Sequence, residues 1–146
     1  MLRVFTPKKY AGFTLLELLV VIAIIGILVI IVAISVTSVR SQGRDASIMS
    51  HLGQVKTEAE MIQIEHASYN NLCDDVVGGL NIANLDLAEI QTQVNNQGGS
   101  IVCHADGEAY CAQSGLNMGG FYCLDHTGFS GRISVDNCRD VSINCQ

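Results

Sequence analysis

The side chains that could carry chemistry in this sequence are cysteines, histidines and acids, and the cysteines all lie between Cys73 and Cys145. A zinc site could be assembled on paper from Cys103, His104, Cys111, Cys123 and His126. The spacing contains no paired C-x₂-C motif, and cysteines outside the cytosol usually oxidise. A cysteine nucleophile would need a free thiol of low pKa. We therefore predict no zinc site and no thiol catalysis.

Acidic residues offer a second candidate chemistry, calcium binding. The acids concerned are Asp106, Glu108, Asp125 and Asp136. They lack the dense oxygen spacing of a calcium loop, and solvated surface acids are the default interpretation. The sequence also has no persuasive phosphate loop, pair of catalytic carboxylates or Ser/His/Asp pattern. We predict no catalytic residue, no metal and no cofactor, and hence a protein that is not an enzyme.

The N-terminal segment is very different from the rest of the chain. Between Phe13 and Val39 the only charged residue is Glu17. As a helix this segment would reach ~40 Å, more than the ~30 Å hydrocarbon layer of a membrane. Basic residues on the short flank, Arg3, Lys8 and Lys9, favour a cytoplasmic N-terminus. We expect one membrane span that contacts lipid, with the later residues outside.

Two ordinary membrane segments compete with this interpretation. A secretory signal peptide has an apolar core of roughly 7–15 residues and a small-residue cleavage site, and this run is longer and lacks that site. A plain signal anchor fits the length but does not account for Glu17. An acid inside an apolar helix costs about 2.5–3.5 kcal/mol, so such a residue is usually paired and functional.

The junction of the basic leader and the apolar run reads Lys-Lys-Tyr-Ala-Gly-Phe-Thr-Leu-Leu-Glu over residues 8–17. It resembles the class III signal of type IV prepilins and type II secretion pseudopilins. The resemblance implies cleavage by a prepilin peptidase between Gly12 and Phe13, N-methylation of Phe13, and delivery to an inner-membrane assembly platform. It also implies a self-assembled helical homopolymer, in which Glu17 pairs with the α-amine of a neighbouring subunit and sets the register.

Loss of the leader would make the chain more acidic. Removal of residues 1–12 lowers Lys+Arg from 8 to 5 and leaves Asp+Glu at 14, so the formal charge moves from −6 to −9. General nucleic-acid binding requires clustered lysine and arginine, so we do not expect it.

Helical periodicity continues past the apolar run. An apolar stripe is formed by Ile48, Leu52, Val55, Ala59 and Ile62. We predict one helix from about Thr14 to about His66. A shorter helix around Asn84–Val94, capped by Asn84 or Asp86, should bury Leu85, Leu87, Ile90 and Val94.

Short alternating segments follow and predict three or four antiparallel strands. The candidates are Ser100–His104, Ala109–Gln113, Gly120–Asp125 and Gly131–Val135, with glycine-containing turns between them. The expected fold is α+β and pilin-like: a long N-terminal helix, transmembrane and then amphipathic, packed on a small antiparallel sheet. The expected parts are a cleaved leader at 1–12, an apolar helix at 13–40, its amphipathic continuation at 41–66 and a disulfide-rich head at 67–146.

The head is small and has few aromatic residues, so its core needs disulfide bonds. The candidates are Cys73, Cys103, Cys111, Cys123, Cys138 and Cys145. Fifteen pairings are possible. Placement of Cys111 and Cys123 in consecutive strands favours a bond between them. Cys138 could then close the C-terminal loop with Cys145, which leaves Cys73 for Cys103.

The leading functional prediction is a structural subunit of a type IV pilus-like filament. The protein would begin as a single-pass precursor in the bacterial cytoplasmic membrane and end in an extracellular filament. Within the same family, a type II secretion pseudopilin or a minor or DNA-uptake pilin is the alternative. From another class, a membrane-tethered binding domain that never polymerises remains open, as do the roles in adhesion and motility.

Overall fold

The computed structural model describes residues 12–74, 78–138 and 143–145. These residues form an α+β fold whose elements follow in the order α1 (Leu15–His66), β1 (Cys73–Asp74), β2 (Gly79–Leu80), α2 (Leu85–Asn96), β3 (Ile101–Ala105), β4 (Tyr110–Gly115), β5 (Phe121–Asp125) and β6 (Ser130–Ile133). The chain divides into two compact units, the first ending at Ser38 and the second starting at Val39. The predicted fold class is confirmed.

Helix α1 agrees closely with its predicted limits. It ends at His66 because Ala67 has a φ of 52°, a left-handed conformation that stops a helix. In the first unit its described large apolar side chains are exposed, from 81% at Leu15 to 37% at Val36. Among the described residues, α1 is the one helix long and apolar enough to cross a membrane, with a mean hydropathy of 3.5 in its most apolar window.

In the second unit, one stripe of α1 forms the centre of the core. Ile48, Leu52, Val55 and Ala59 are fully buried, and Ile62 is 5% exposed. They share a cluster with buried side chains of α2 and of the larger sheet. Burial of a large aliphatic side chain stabilises a fold by roughly 1.5–3 kcal/mol, so this stripe supplies much of the stability of the unit.

The larger sheet is an antiparallel meander in the order β3-β4-β5-β6, with four strands in all. Its strands begin and end within two residues of their predicted limits. A second, two-stranded sheet pairs β1 with β2. Neither strand is among the candidates predicted from the sequence, because two-residue strands are too short to show an alternating pattern.

Helix α2 is capped as predicted by Asn84, whose Oδ1 accepts hydrogen bonds from the backbone nitrogens of Asp86 at 2.9 Å and Leu87 at 3.5 Å. Leu87, Ile90 and Val94 are buried. The prediction that Leu85 faces inward is wrong, because this side chain is 84% exposed. Two helical residues turn the direction of a side chain by about 200°, so Leu85 lies opposite Leu87.

All six cysteines form disulfide bonds, but two of the three predicted pairs are wrong. Cys73 bonds to Cys103, as expected, with Cα atoms 5.4 Å apart. The predicted Cys111–Cys123 and Cys138–Cys145 bonds are replaced by Cys111–Cys138 and Cys123–Cys145.

The register of the sheet accounts for this exchange of partners. Cys111 lies opposite Asp125, and Cys123 lies opposite Gln113. The two cysteines are therefore diagonal neighbours rather than a directly opposed pair. Each instead bonds to a cysteine of the C-terminal segment, which is thereby held against the sheet at two points.

Candidate processing and assembly site

Gly12 and Phe13 precede the first turn of α1 and are exposed. Phe13 exposes 83% of its surface. A Cβ atom built on Gly12 would meet no atom within 4 Å. The described residues of the chain therefore do not themselves require glycine at position 12, and a requirement for it would come from a molecule that approaches the backbone closely.

Thr14 and Glu17 form a reciprocal cap at the start of α1. The backbone nitrogen of Thr14 donates to Glu17 Oε2 at 2.9 Å, and the Thr14 hydroxyl donates to the same oxygen at 2.8 Å. In return, the backbone nitrogen of Glu17 donates to Thr14 Oγ1 at 3.3 Å. This is a capping box, which satisfies two of the N–H groups that a helix leaves unpaired at its start.

Two features of the helix start affect the carboxylate of Glu17. A carboxylate in the first turn of a helix is stabilised by the helix dipole. Both hydrogen bonds from Thr14 use Oε2, and among the described residues Oε1 accepts none. Oε2 thus caps the start of the helix, while Oε1 is able to accept a hydrogen bond from a further donor.

Sequence reasoning singled out Glu17 but missed the role of Thr14. The missed signal is a threonine followed three residues later by a glutamate at the start of an apolar run. The cleavage and assembly motif contains both residues. The structure adds that they contact each other within one chain.

Asp125, one of the acids considered for calcium binding, has a structural role. Asp125 is buried, and its carboxylate accepts hydrogen bonds from Thr127, Phe129 and the backbone nitrogen of Cys145. Burial alone would raise the pKa of Asp125, but these hydrogen bonds outweigh it and the pKa lies below its usual value. Asp125 therefore fastens the C-terminal segment to the β5–β6 turn.

Asp106 has a local role as well. Its Oδ1 accepts hydrogen bonds from the backbone nitrogens of Glu108 at 2.9 Å and Ala109 at 2.7 Å, so it shapes the β3–β4 turn. Asp136 accepts a hydrogen bond from the Gln113 amide. Among the described residues, the one cluster of metal-ligand side chains is Cys111, Cys123 and Cys145, and their sulfur atoms are all in disulfide bonds.

A buried carboxylate that sequence reasoning missed lies on α1. Asp45 is fully buried and accepts hydrogen bonds from Asn117 and from the backbone nitrogen of Met118. Burial would raise its pKa, but these hydrogen bonds and the charge of Arg132 hold the pKa below its usual value. Its position three residues before Ile48, in line with the apolar stripe, was the available signal.

Comparison with known protein families agrees with this geometry. Residues 7–38 match the family described as the prokaryotic N-terminal methylation motif. The match includes the Gly12–Phe13 junction, the capping box and most of the apolar run. No match was found among curated proteins or among solved structures.

The matched motif is the class III prepilin signal, which supports a type IV pilin-like or pseudopilin family for this chain. The α+β architecture with a long apolar helix and disulfide bonds fits the pilin-like fold. This motif is of a structural type and does not define an enzyme family. Together with the apolar helix, it supports a membrane-anchored precursor.

Proposed function

We propose that this protein is a structural subunit of a type IV pilus-like filament. The observation that carries the proposal is the coincidence of the methylation-motif match with an exposed Gly12–Phe13 junction and a capped Glu17. A prepilin peptidase would cleave after Gly12, and Phe13 would then be N-methylated. The subunit would leave the membrane for an extracellular filament through an inner-membrane assembly platform.

The apolar part of α1 explains why such a protein would polymerise. Its large aliphatic side chains are exposed in the single chain and have two environments that exclude water, the lipid bilayer and the packed helices of other copies. Transfer from one to the other keeps these side chains out of water at every stage. Residues 13–40 would first be the membrane anchor and then the core of the filament.

Glu17 would set the register of subunits in that core. Its Oε2 accepts two hydrogen bonds from Thr14. Oε1 could accept a hydrogen bond from the α-amine that cleavage creates on Phe13 of a neighbouring subunit. An unpaired charge in an apolar core is far more costly than a paired one. A misplaced subunit would leave both groups unpaired and would therefore be rejected.

The remaining parts of the chain complete this proposal. Residues 1–12 would be the leader, residues 41–66 the amphipathic continuation of α1, and residues 67–146 an extracytoplasmic head held by disulfide bonds. Such bonds require an oxidising compartment, which supports placement of the head outside the cytosol.

Mass spectrometry of filaments sheared from the cell surface tests the proposal. We expect a subunit that begins at Phe13, carries a methyl group on its α-amine and contains three disulfide bonds. A protein recovered with its leader intact, or cleaved but never present in fibres, would overturn it. The second of these outcomes would favour a tethered binding domain, and short fibres that depend on a secretion system would favour a pseudopilin.

A Glu17→Gln variant tests the register mechanism separately. The amide cannot neutralise the Phe13 amine, so we expect cleavage to continue while the yield of filaments falls steeply. Glu60→Gln removes a carboxylate from an exposed position on the same helix and serves as the matched control, with filaments at the wild-type level. Normal assembly of the Glu17→Gln protein would eliminate the mechanism.

A further inference from the structure

Two arginines on the second unit, Arg40 and Arg44, contact no charged partner among the residues that the structure describes. Arg40 and Arg44 lie one helical turn apart on α1 and are both exposed. Among the described residues, neither takes part in an ion pair or a side-chain hydrogen bond. Lys56, by contrast, donates to a backbone carbonyl in the β5–β6 turn, and Arg132 interacts electrostatically with Asp45. Within the described part of the chain, Arg40 and Arg44 are thus cations available for a contact outside the single chain.

The same side of α1 changes its charge along its length. Arg44, His51, Glu58 and Glu65 follow one another at intervals of seven residues, which return to nearly the same side of a helix. Arg40 precedes Arg44 by one turn and extends the basic end. The basic end and the acidic end are about 21 Å apart, counted over the fourteen residues from Arg44 to Glu58.

The acidic end of this side opens into a groove between α1 and α2. The groove has a volume of about 520 Å³ and is lined by His51, Gln54, Thr57, Glu58, Asp86, Glu89, Ile90 and Gln93. Three of these side chains are carboxylates, and none is a lysine or arginine. The groove is therefore a concave surface of negative charge, supported by two helices.

His51 contributes a hydrogen-bond acceptor to this groove. Its Nδ1 lies 2.8 Å from the carbonyl oxygen of Ser47. Because a carbonyl oxygen can only accept, Nδ1 must carry the hydrogen, and in the neutral ring Nε2 is then an acceptor. A guanidinium group, with five N–H donors in one plane, suits a groove lined with carboxylates, amide oxygens and an imidazole acceptor.

We propose that Arg40 and Arg44 of one copy of this chain dock in the acidic groove of a second copy. The proposal rests on the proposed function, because it needs parallel subunits whose helices are shifted along a common axis. A shift of about 21 Å would bring Arg44 of one subunit to the level of Glu58 of another. The contact would set the axial offset of the heads, whereas Glu17 would set that of the apolar helices.

Charge complementarity is the reason to choose a second copy as the occupant. After loss of the leader each subunit carries a formal charge of −9, so close packing of heads brings like charges together. Offsets that place acidic groups against acidic groups are disfavoured, and an offset that places the two free arginines in the groove is favoured. One sequence thus carries both halves of the contact.

A charge exchange in the full-length protein tests this contact. The variants are Arg44→Glu, Glu58→Arg and the double variant, made in cells that assemble the wild-type filament. We expect each single variant to lower the filament yield by about fivefold or more, because like charges then oppose each other, and the double variant to recover to within about twofold of wild type. Glu60→Arg, which changes the charge by the same amount elsewhere on α1, is the control and should assemble normally.

The yields are normalised to the amount of cleaved subunit in the membrane, so that poor folding is not mistaken for poor assembly. If a single variant does not accumulate, Arg44→Gln and Glu58→Gln replace the charge reversals, with a smaller decrease expected. Wild-type yields from both single variants, or a double variant no better than either, would overturn the contact and leave the proposed function standing. A wild-type chain that never enters fibres would overturn the proposed function itself.

Discussion

The carboxylate of Asp45, on the long helix, lies 2.7 Å from the backbone nitrogen of Asn117 in the turn between β4 and β5. The side-chain amide of Asn117 donates to the same oxygen at 2.9 Å, and the backbone nitrogen of Met118 donates to the other oxygen at 3.1 Å. Three donors from a remote turn thus converge on one buried charge. This cluster fastens α1 to the sheet where the apolar stripe begins.

Replacement of Asp45 by alanine should be strongly destabilising. It would remove the acceptor that the donors of Asn117 and Met118 share, and hydrogen bonds to a charged group contribute roughly 1.5–3 kcal/mol each. We expect the free energy of unfolding to fall by about 3 kcal/mol for Asp45→Ala and by less for Asp45→Asn, which keeps one oxygen. Urea denaturation of the detergent-solubilised protein measures this. Glu60→Gln is the control, and an Asp45→Ala protein of equal stability would contradict the prediction.

Acid should weaken the second unit through Asp45 and Asp125. Both have pKa values below the usual aspartate value, so their contribution to stability is fully present above the unfolded-state pKa of about 3.9. It is lost as the pH falls through the folded-state pKa values. We expect the urea midpoint to be nearly constant from pH 6 to pH 5 and to drop below pH 4.

The double variant Asp45→Asn with Asp125→Asn provides the comparison for this pH dependence. It should be less stable at neutral pH and should lose less stability between pH 4 and pH 2, because it lacks the two groups that take up protons on unfolding. The same acid-induced loss in the double variant and the wild type would show that other carboxylates are responsible.

Two glycines should respond in opposite ways to alanine. At Gly99 a Cβ would lie 2.7 Å from Ser114 Oγ and 2.8 Å from Val94 Cγ1, so Gly99→Ala should cost about 1–3 kcal/mol by overpacking. At Gly53, within α1, a Cβ would meet nothing within 4 Å. Gly53→Ala should therefore stabilise the unassembled protein by up to about 1 kcal/mol. Thermal denaturation of both variants tests this, and a stable Gly99→Ala protein would refute the packing argument.

The disulfide connectivity is open to a direct test. Peptide mapping without reduction should recover Cys111 linked to Cys138 and Cys123 linked to Cys145. The double variant Cys123→Ser with Cys145→Ser removes the Cys123–Cys145 bond and should lower the free energy of unfolding by about 3 kcal/mol. The reason is that the loop of 22 residues closed by this bond gains conformational freedom in the unfolded chain. A peptide joining Cys111 to Cys123 would contradict this connectivity.

Local signals in the sequence were sufficient for both helices and for the larger sheet, but not for the short strands β1 and β2. Helix α1, the cap of α2 and the four strands of the larger sheet depend on periodicity, capping residues and turn residues, all of which lie within a few positions of one another. The junction at Gly12 and Phe13 was recognisable for the same reason, because its signal is one short contiguous motif.

Contacts between distant residues were decided only by the tertiary structure. Asp45 and Asn117 are far apart in sequence, and the residues around either one do not predict their contact. The exchange of disulfide partners depends on the register of β4 and β5, in which a shift of two residues changes which cysteines face each other. The acidic groove exists because α2 packs beside the polar side of α1. Periodicity determines which face of an element is apolar, whereas the partner of that face is determined by packing of the whole chain.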